Sequence, residues 1–189
     1  MSNPRVYYRL FDDMSTSKRW YLSAPTGPGG EWLSTALTRA EPYEGQVPLH
    51  VAVYQPGPEL ELTVPGNAVL VVNQRVARII ESVAAADVQL LPAQVDGSTG
   101  PHFVVNVLRM PDCIDEQRSA DARRYTAEDG RPDRIGQFKA VGGMKIDPAR
   151  AGGHHLLRPW GWHVVLVVSD TLADALRSAG VRCQITPVT

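Results

Sequence analysis

The chain has 189 residues, enough to bury the core of a domain without disulfide or metal staples. Hydrophobic residues make up 43% and charged residues 21%, which excludes a chain that is disordered throughout. With 19 Lys+Arg against 20 Asp+Glu the net charge is −1, which argues against a general electrostatic attraction to nucleic acid or to an anionic membrane.

In chain order, Val6 to Phe11 is aromatic and β-favouring and reads as a strand. Arg19 to Leu22 is expected to pair with it across the polar turn between them. Pro25, Gly27, Pro28, Gly29 and Gly30 make a loop by composition. Trp32 to Ala40 suits a short helix. Leu49 to Tyr54 and Glu59 to Val64 alternate apolar and polar residues around Gln55 to Pro58, the pattern of a hairpin. Val69 to Val72 is a short apolar strand. Asn73 stands where an N-cap is wanted, and Val76, Ile79, Ile80 and Val83 follow at helical spacing, predicting a helix over Gln74 to Ala86. Val88 to Val95 and His102 to Arg109 read as strands. Met110 to Tyr125 is polar and loop-like, and Ile135 to Val141 and Met144 to Ile146 suit short strands. Val164 to Val168 is a buried strand. Ser169 caps a second helix with Leu172, Ala173 and Leu176 inward, and Gly180 sits at its C′ position.

Two stretches echo each other. Val69 to Asn73 leads into a helix and then Val88 to Pro92; Val165 to Ser169 leads into a helix and then Val181 to Pro187. Both are a strand, a capped helix and a β-rich run that ends at proline, either a duplication or one local solution used twice. Helices packed on sheets make the fold class α+β, mostly antiparallel, with at least two packed helices in a single domain over residues 1–189.

Cys113 and Cys183 are the only cysteines, too few for a disulfide framework or a thiolate zinc site, and they suit a reducing compartment. The first 20 residues hold no signal-like apolar region. The longest apolar run, Val164 to Val168, is far short of the ~20 residues of a membrane helix. A cytoplasmic protein is expected.

The order of features resembles a known family. The opening Tyr7-Tyr8-x-Leu10 strand is followed by the strand, cap, helix and strand of Val69 to Pro92, then by Val105 to Leu108. After these come Asp112, Asp115 and Ser119, and the chain ends with an apolar strand, Ser169, a short helix, Gly180 and Val181. This is similar to the bacterial immunity-protein family first defined in myxobacteria, formerly a domain of unknown function. The resemblance covers nearly the whole chain. It implies a cytoplasmic protein that neutralises a cognate toxin by binding it, the toxin being typically a secreted antibacterial effector such as a nuclease. It brings no catalytic residues and no cofactor. The Pro25 to Gly30 loop matches none of its motifs.

Two groups are candidate toxin contacts. Asp112, Asp115, Glu116 and Asp121 form an acidic run that would suit the basic groove of a nucleic-acid-directed toxin, against the plainer reading of a solvated, helix-capping loop. Trp160 and Trp162 would share a face if their segment is extended, offering an aromatic anchor; packing at a sheet edge is the plainer reading. An enzyme reading also exists: Pro111-Asp112, 24 residues, then Gln137-Phe138-Lys139 echoes a metal-dependent nuclease signature, with Gln137 where a second carboxylate is wanted. A non-catalytic ligand-binding or scaffold domain is the third reading. His50, His102, His154, His155 and His163 form no zinc-type spacing, and no G-x-S-x-G or phosphate loop is present. A Ser-His-Asp triad is assembled in space, so sequence order does not decide it.

Overall fold

The computed structural model describes residues 5–66 and 69–189. Its strands, in chain order, are β1 (Tyr7–Asp12), β2 (Tyr21–Leu22), β3 (Leu49–Val51), β4 (Val53–Gln55), β5 (Leu62–Thr63), β6 (Leu70–Asn73), β7 (Val88–Val95), β8 (His102–Val107), β9 (Asp121–Arg124), β10 (Phe138–Gly142), β11 (Leu156–Leu157), β12 (Leu166–Ser169) and β13 (Cys183–Pro187). Helix α1 (Gln74–Ala84) leaves β6 directly, and α2 (Asp170–Ser178) leaves β12. One sheet has the order β3-β7-β8-β6-β5, antiparallel except for β3 beside β7; the second, β11-β12-β1-β13, is antiparallel throughout. The fold is α+β.

Both helices start at a residue that ends a strand. Asn73 accepts from the Val76 N–H at 3.0 Å, and Ser169 accepts from the Leu172 N–H at 3.2 Å. Each cap satisfies an orphan donor of the first turn, a contribution of about 1 kcal/mol. Gly180, at φ +67°, follows the C-cap Ala179 and takes the left-handed turn that a side chain would resist.

The echo in the sequence is a structural repeat. In β13 beside β1, Cys183 to Pro187 face Asp12 to Tyr8; in β7 beside β8, Val88 to Pro92 face Val107 to Phe103. Gln184 thus takes the place of Gln89, and Pro187 that of Pro92. Ser169 opposite Tyr7 matches Asn73 opposite His102, and Leu156 beside Val168 matches Leu62 beside Val72. Each unit is a strand, a helix and a strand with a third, antiparallel strand between the two. One step differs: β8 follows β7 in the chain, whereas the central strand of the second unit, β1, comes from the other end of the chain.

The equivalence extends to the core. Three, four and seven residues beyond the caps stand Val76, Ala77 and Ile80 in α1 and Leu172, Ala173 and Leu176 in α2, all buried in one apolar cluster. Leu62, Leu70, Val72 and Val105 of the first sheet and Leu156, Leu166, Val168 and Leu10 of the second complete it. Arg75 of α1 ties the helices together, donating to the Ala179 carbonyl at 2.8 Å while it pairs with Glu61. The opposite face of the first sheet is covered by Trp20, Leu22, Leu33 and Leu37; on the second, the part formed by Tyr7, Leu157 and Val167 is covered by Cys113, Ile114, Phe138 and Ile146.

Several pairings differ from expectation. β2 pairs with β4 and not with β1. The two alternating segments after residue 48 form no hairpin: β3 joins β7 and β5 joins β6, at opposite edges of one sheet. Alternation identifies the face a residue lies on but not its neighbouring strand. The helix expected over Trp32 to Ala40 is a single 3-10 turn, Ala36–Thr38. Part of the polar segment before Tyr125 is a strand, β9, paired with β10, and Ile146 makes only an isolated bridge to Ile114.

Candidate functional site

The acidic residues come together around arginines. Arg124, on β9, donates through Nη2 to Asp112 Oδ1 at 2.9 Å and through Nε to Glu116 Oε1 at 2.9 Å. Its guanidinium lies over the Phe138 ring at 4.1 Å and 5.7 Å from the Trp160 ring centroid, so it joins the carboxylates to that indole. Asp121 pairs with Arg123, and Asp115 with Arg118. Asp115 Oδ1 also accepts from the Gln117 and Arg118 N–H groups, both at 3.1 Å, and so caps the turn. Ser119 donates to the Asp115 carbonyl at 2.7 Å and accepts from the Lys145 N–H at 3.0 Å. The Asp112, Asp115, Ser119 pattern therefore builds a loop against residue 145.

Trp160 and Trp162 do not share a face. Gly161 between them has φ +74°, so the segment turns instead of extending. Trp162 packs into the apolar cluster beneath the second sheet, while Trp160 stays partly exposed beside Arg124.

The charged residues of the nuclease pattern are held in ion pairs. Asp112 is held by Arg124, and Lys139 pairs with Asp129 at 2.7 Å, which holds that carboxyl below its ordinary range. Among the described residues no three carboxylate, imidazole or thiol groups are arranged to hold a metal ion. Burial raises the Cys113 thiol to about 12 and the Cys183 thiol to about 11, so both stay protonated and weakly nucleophilic at neutral pH. The nearest approach to a triad is Ser169 Oγ at 2.9 Å from His155 Nδ1, but that serine is fully buried as the α2 cap. The adjacent carboxylate, Asp87, accepts the His155 backbone N–H at 2.7 Å.

Two further features escaped sequence reasoning. Asp87 is buried between the halves of the molecule; besides His155 N–H it meets Arg109 Nε at 3.2 Å and His154 Nδ1 at 3.0 Å. The other is a groove of about 450 Å³ between the end of β1 and the β2–β4 ribbon. Trp32 and Tyr54 stand on its rim, 71% and 66% exposed, and Met14 is exposed beside them. The Gly/Pro-rich loop sets that tryptophan in place, because Thr26 bridges to both Trp32 and His50 while Gly27 and Gly30 close the turn between. At its floor, Arg19 and Asp12 form a buried ion pair of 2.7 Å. Exposed aromatic and methionine side chains around a desolvated arginine are the composition of a protein-binding surface.

Comparison with known families matches residues 2–184 to the immunity protein family (Imm11). The chain belongs to the Imm11 immunity protein family. The match takes in the first unit of the repeat and the second as far as the first two residues of β13 in this Imm11 chain. No curated protein matches this Imm11 chain. Among the described residues no helix is long and apolar enough to cross a membrane.

Proposed function

We propose that this chain is an immunity protein that binds a cognate antibacterial toxin in the cytoplasm and neutralises it by covering the toxin's active site or substrate groove. It does so without a cofactor and without chemistry of its own. The family match over residues 2–184 carries the reading. The arrangement of reactive groups supports it: Asp112, Lys139, Asp87 and Ser169 are each engaged in holding the fold, and both thiols are protonated.

The experiment co-expresses the chain with candidate toxic domains encoded by the genes that flank its own. Cells should grow when the chain is present and die when it is absent. In parallel, the purified chain with Mg²⁺ or Mn²⁺ should leave DNA and RNA intact. Cell death with every such domain despite good expression of the chain, or cleavage that disappears in Lys139→Ala, would overturn the reading.

A further inference from the structure

The repeat shows which part of the molecule is left bare. On the first sheet, the outer-face residues Gln89 and Leu91 of β7 and Val104 and Asn106 of β8 are covered by the chain itself. Beside Trp20, Leu22, Leu33 and Leu37, the cover includes the loop at Glu41 to Tyr43, whose main chain is read by side-chain amides. The Tyr43 N–H donates to Gln89 Oε1 at 2.8 Å, Gln89 Nε2 donates to the Tyr43 carbonyl at 3.0 Å, and Asn106 Nδ2 donates to the Glu41 carbonyl at 2.8 Å.

The equivalent residues of the second sheet are Gln184, Thr186, Arg9 and Phe11, paired Gln184 to Phe11 and Thr186 to Arg9. Nothing in the described chain covers them. Gln184, Thr186 and Arg9 are exposed and Phe11 is half-buried. The Gln184 amide makes no hydrogen bond among the described residues, and Arg9 meets no carboxylate there, only the Phe11 ring at 5.7 Å. This bare strip runs into the groove described above, since Phe11 and Met14 border both. At the floor of that groove Arg19 Nε and Asp12 Oδ1, on the buried ion pair, have no hydrogen-bond partner among the described residues. Such atoms cost free energy unless a partner satisfies them.

Building on the proposed immunity function, we infer that this strip and groove are the toxin-binding surface, and that the occupant is a loop of the toxin. Its main chain lies along β13 and bonds the Gln184 amide as Tyr43 bonds Gln89. It carries a carboxylate beside Arg9, and a polar side chain reaches Asp12 and Arg19 between Trp32 and Tyr54.

The test measures affinity for the toxic domain that the chain protects against in that co-expression, purified with its own active site inactivated. Gln184→Leu should bind about 10-fold more weakly, and Arg9→Glu weaker still. Trp160→Ala and Asp121→Asn, in the other candidate group, should bind like wild type. Unchanged thermal unfolding of each variant shows that the fold is intact; these side chains are exposed. Wild-type binding that Gln184→Leu and Arg9→Glu leave unaltered overturns this surface while the immunity function stands. Failure of wild type to bind overturns both. Sedimentation of the chain alone gives the remaining arm: a dimer that Arg9→Glu dissociates would assign the strip to a second copy and overturn the toxin loop.

Discussion

Asp87 concentrates more of the fold than any residue picked out in the sequence. Its carboxylate meets Arg109, His154 and the His155 N–H from partners 22, 67 and 68 residues away. Asp87→Ala should cost about 1–3 kcal/mol in urea unfolding, because it leaves the His155 N–H without its acceptor and removes the partner of Arg109 and His154. Nothing local betrays such a residue, since sequence shows no contact that loop closure alone creates. The caps were legible for the opposite reason: Asn73 and Ser169 act three residues along their own chain. Asp115 is a mixed case. An acidic run suggests solvated charges worth under about 0.5 kcal/mol each. Asp115, however, caps a turn, and Asp115→Ala should cost about 1 kcal/mol. In α1, Ile80 is fully buried and Ile79 only partly, so Ile80→Ala should cost about 2–5 kcal/mol and Ile79→Ala clearly less.

At the scale of elements, the second unit of the repeat is completed by the first strand of the chain. Val188 N–H donates to the Tyr7 carbonyl at 3.0 Å, and the Tyr7 N–H donates to Thr189 Oγ1 at 2.6 Å, so the start of β1 lies beside the residues that follow β13. A circular permutant that joins Thr189 to Arg5 by a short glycine-rich linker and opens at Gly97 would give the second unit the strand order of the first. It should fold and unfold cooperatively by circular dichroism. Removing residues 1–12 without permutation should instead expose α2 and β12 and abolish the cooperative transition. The helices, β6, β7, β8 and β12 were readable because hydrophobic period and caps are local signals. The partners of β2, β3 and β5 were not, because pleat alternation is the same whichever strand lies alongside. Trp160 and Trp162 failed on one torsion, the positive φ of Gly161.

For the molecule as a whole, one apolar cluster spans both sheets and both helices, so the chain should unfold in a single step. Its stability should fall with acid in two stages. Burial holds the imidazoles of His155 and His163 below their ordinary range. The unfolded chain therefore takes up protons first, and the stability present above about pH 6.5 declines as pH drops below it. Asp13, held at about 2 by hydrogen bonds from Ser15 and Thr16, adds a second loss from about pH 4 downward, the unfolded carboxylate protonating first. Urea midpoints at pH 7.5, 5 and 3 should descend in that order, and Asp13→Asn should flatten the last step.

The repeat also bears on binding. In one copy of the outer face Gln89 and Asn106 hold the chain's own loop at Glu41 to Tyr43; in the other, Arg9, Phe11, Gln184 and Thr186 have no such cover among the described residues. The most direct test of the immunity function is titration of the active toxin domain with the purified chain while the toxin's activity is followed. A linear fall in activity to zero at a fixed stoichiometric ratio is the predicted result. Undiminished activity with the chain in large excess would contradict it.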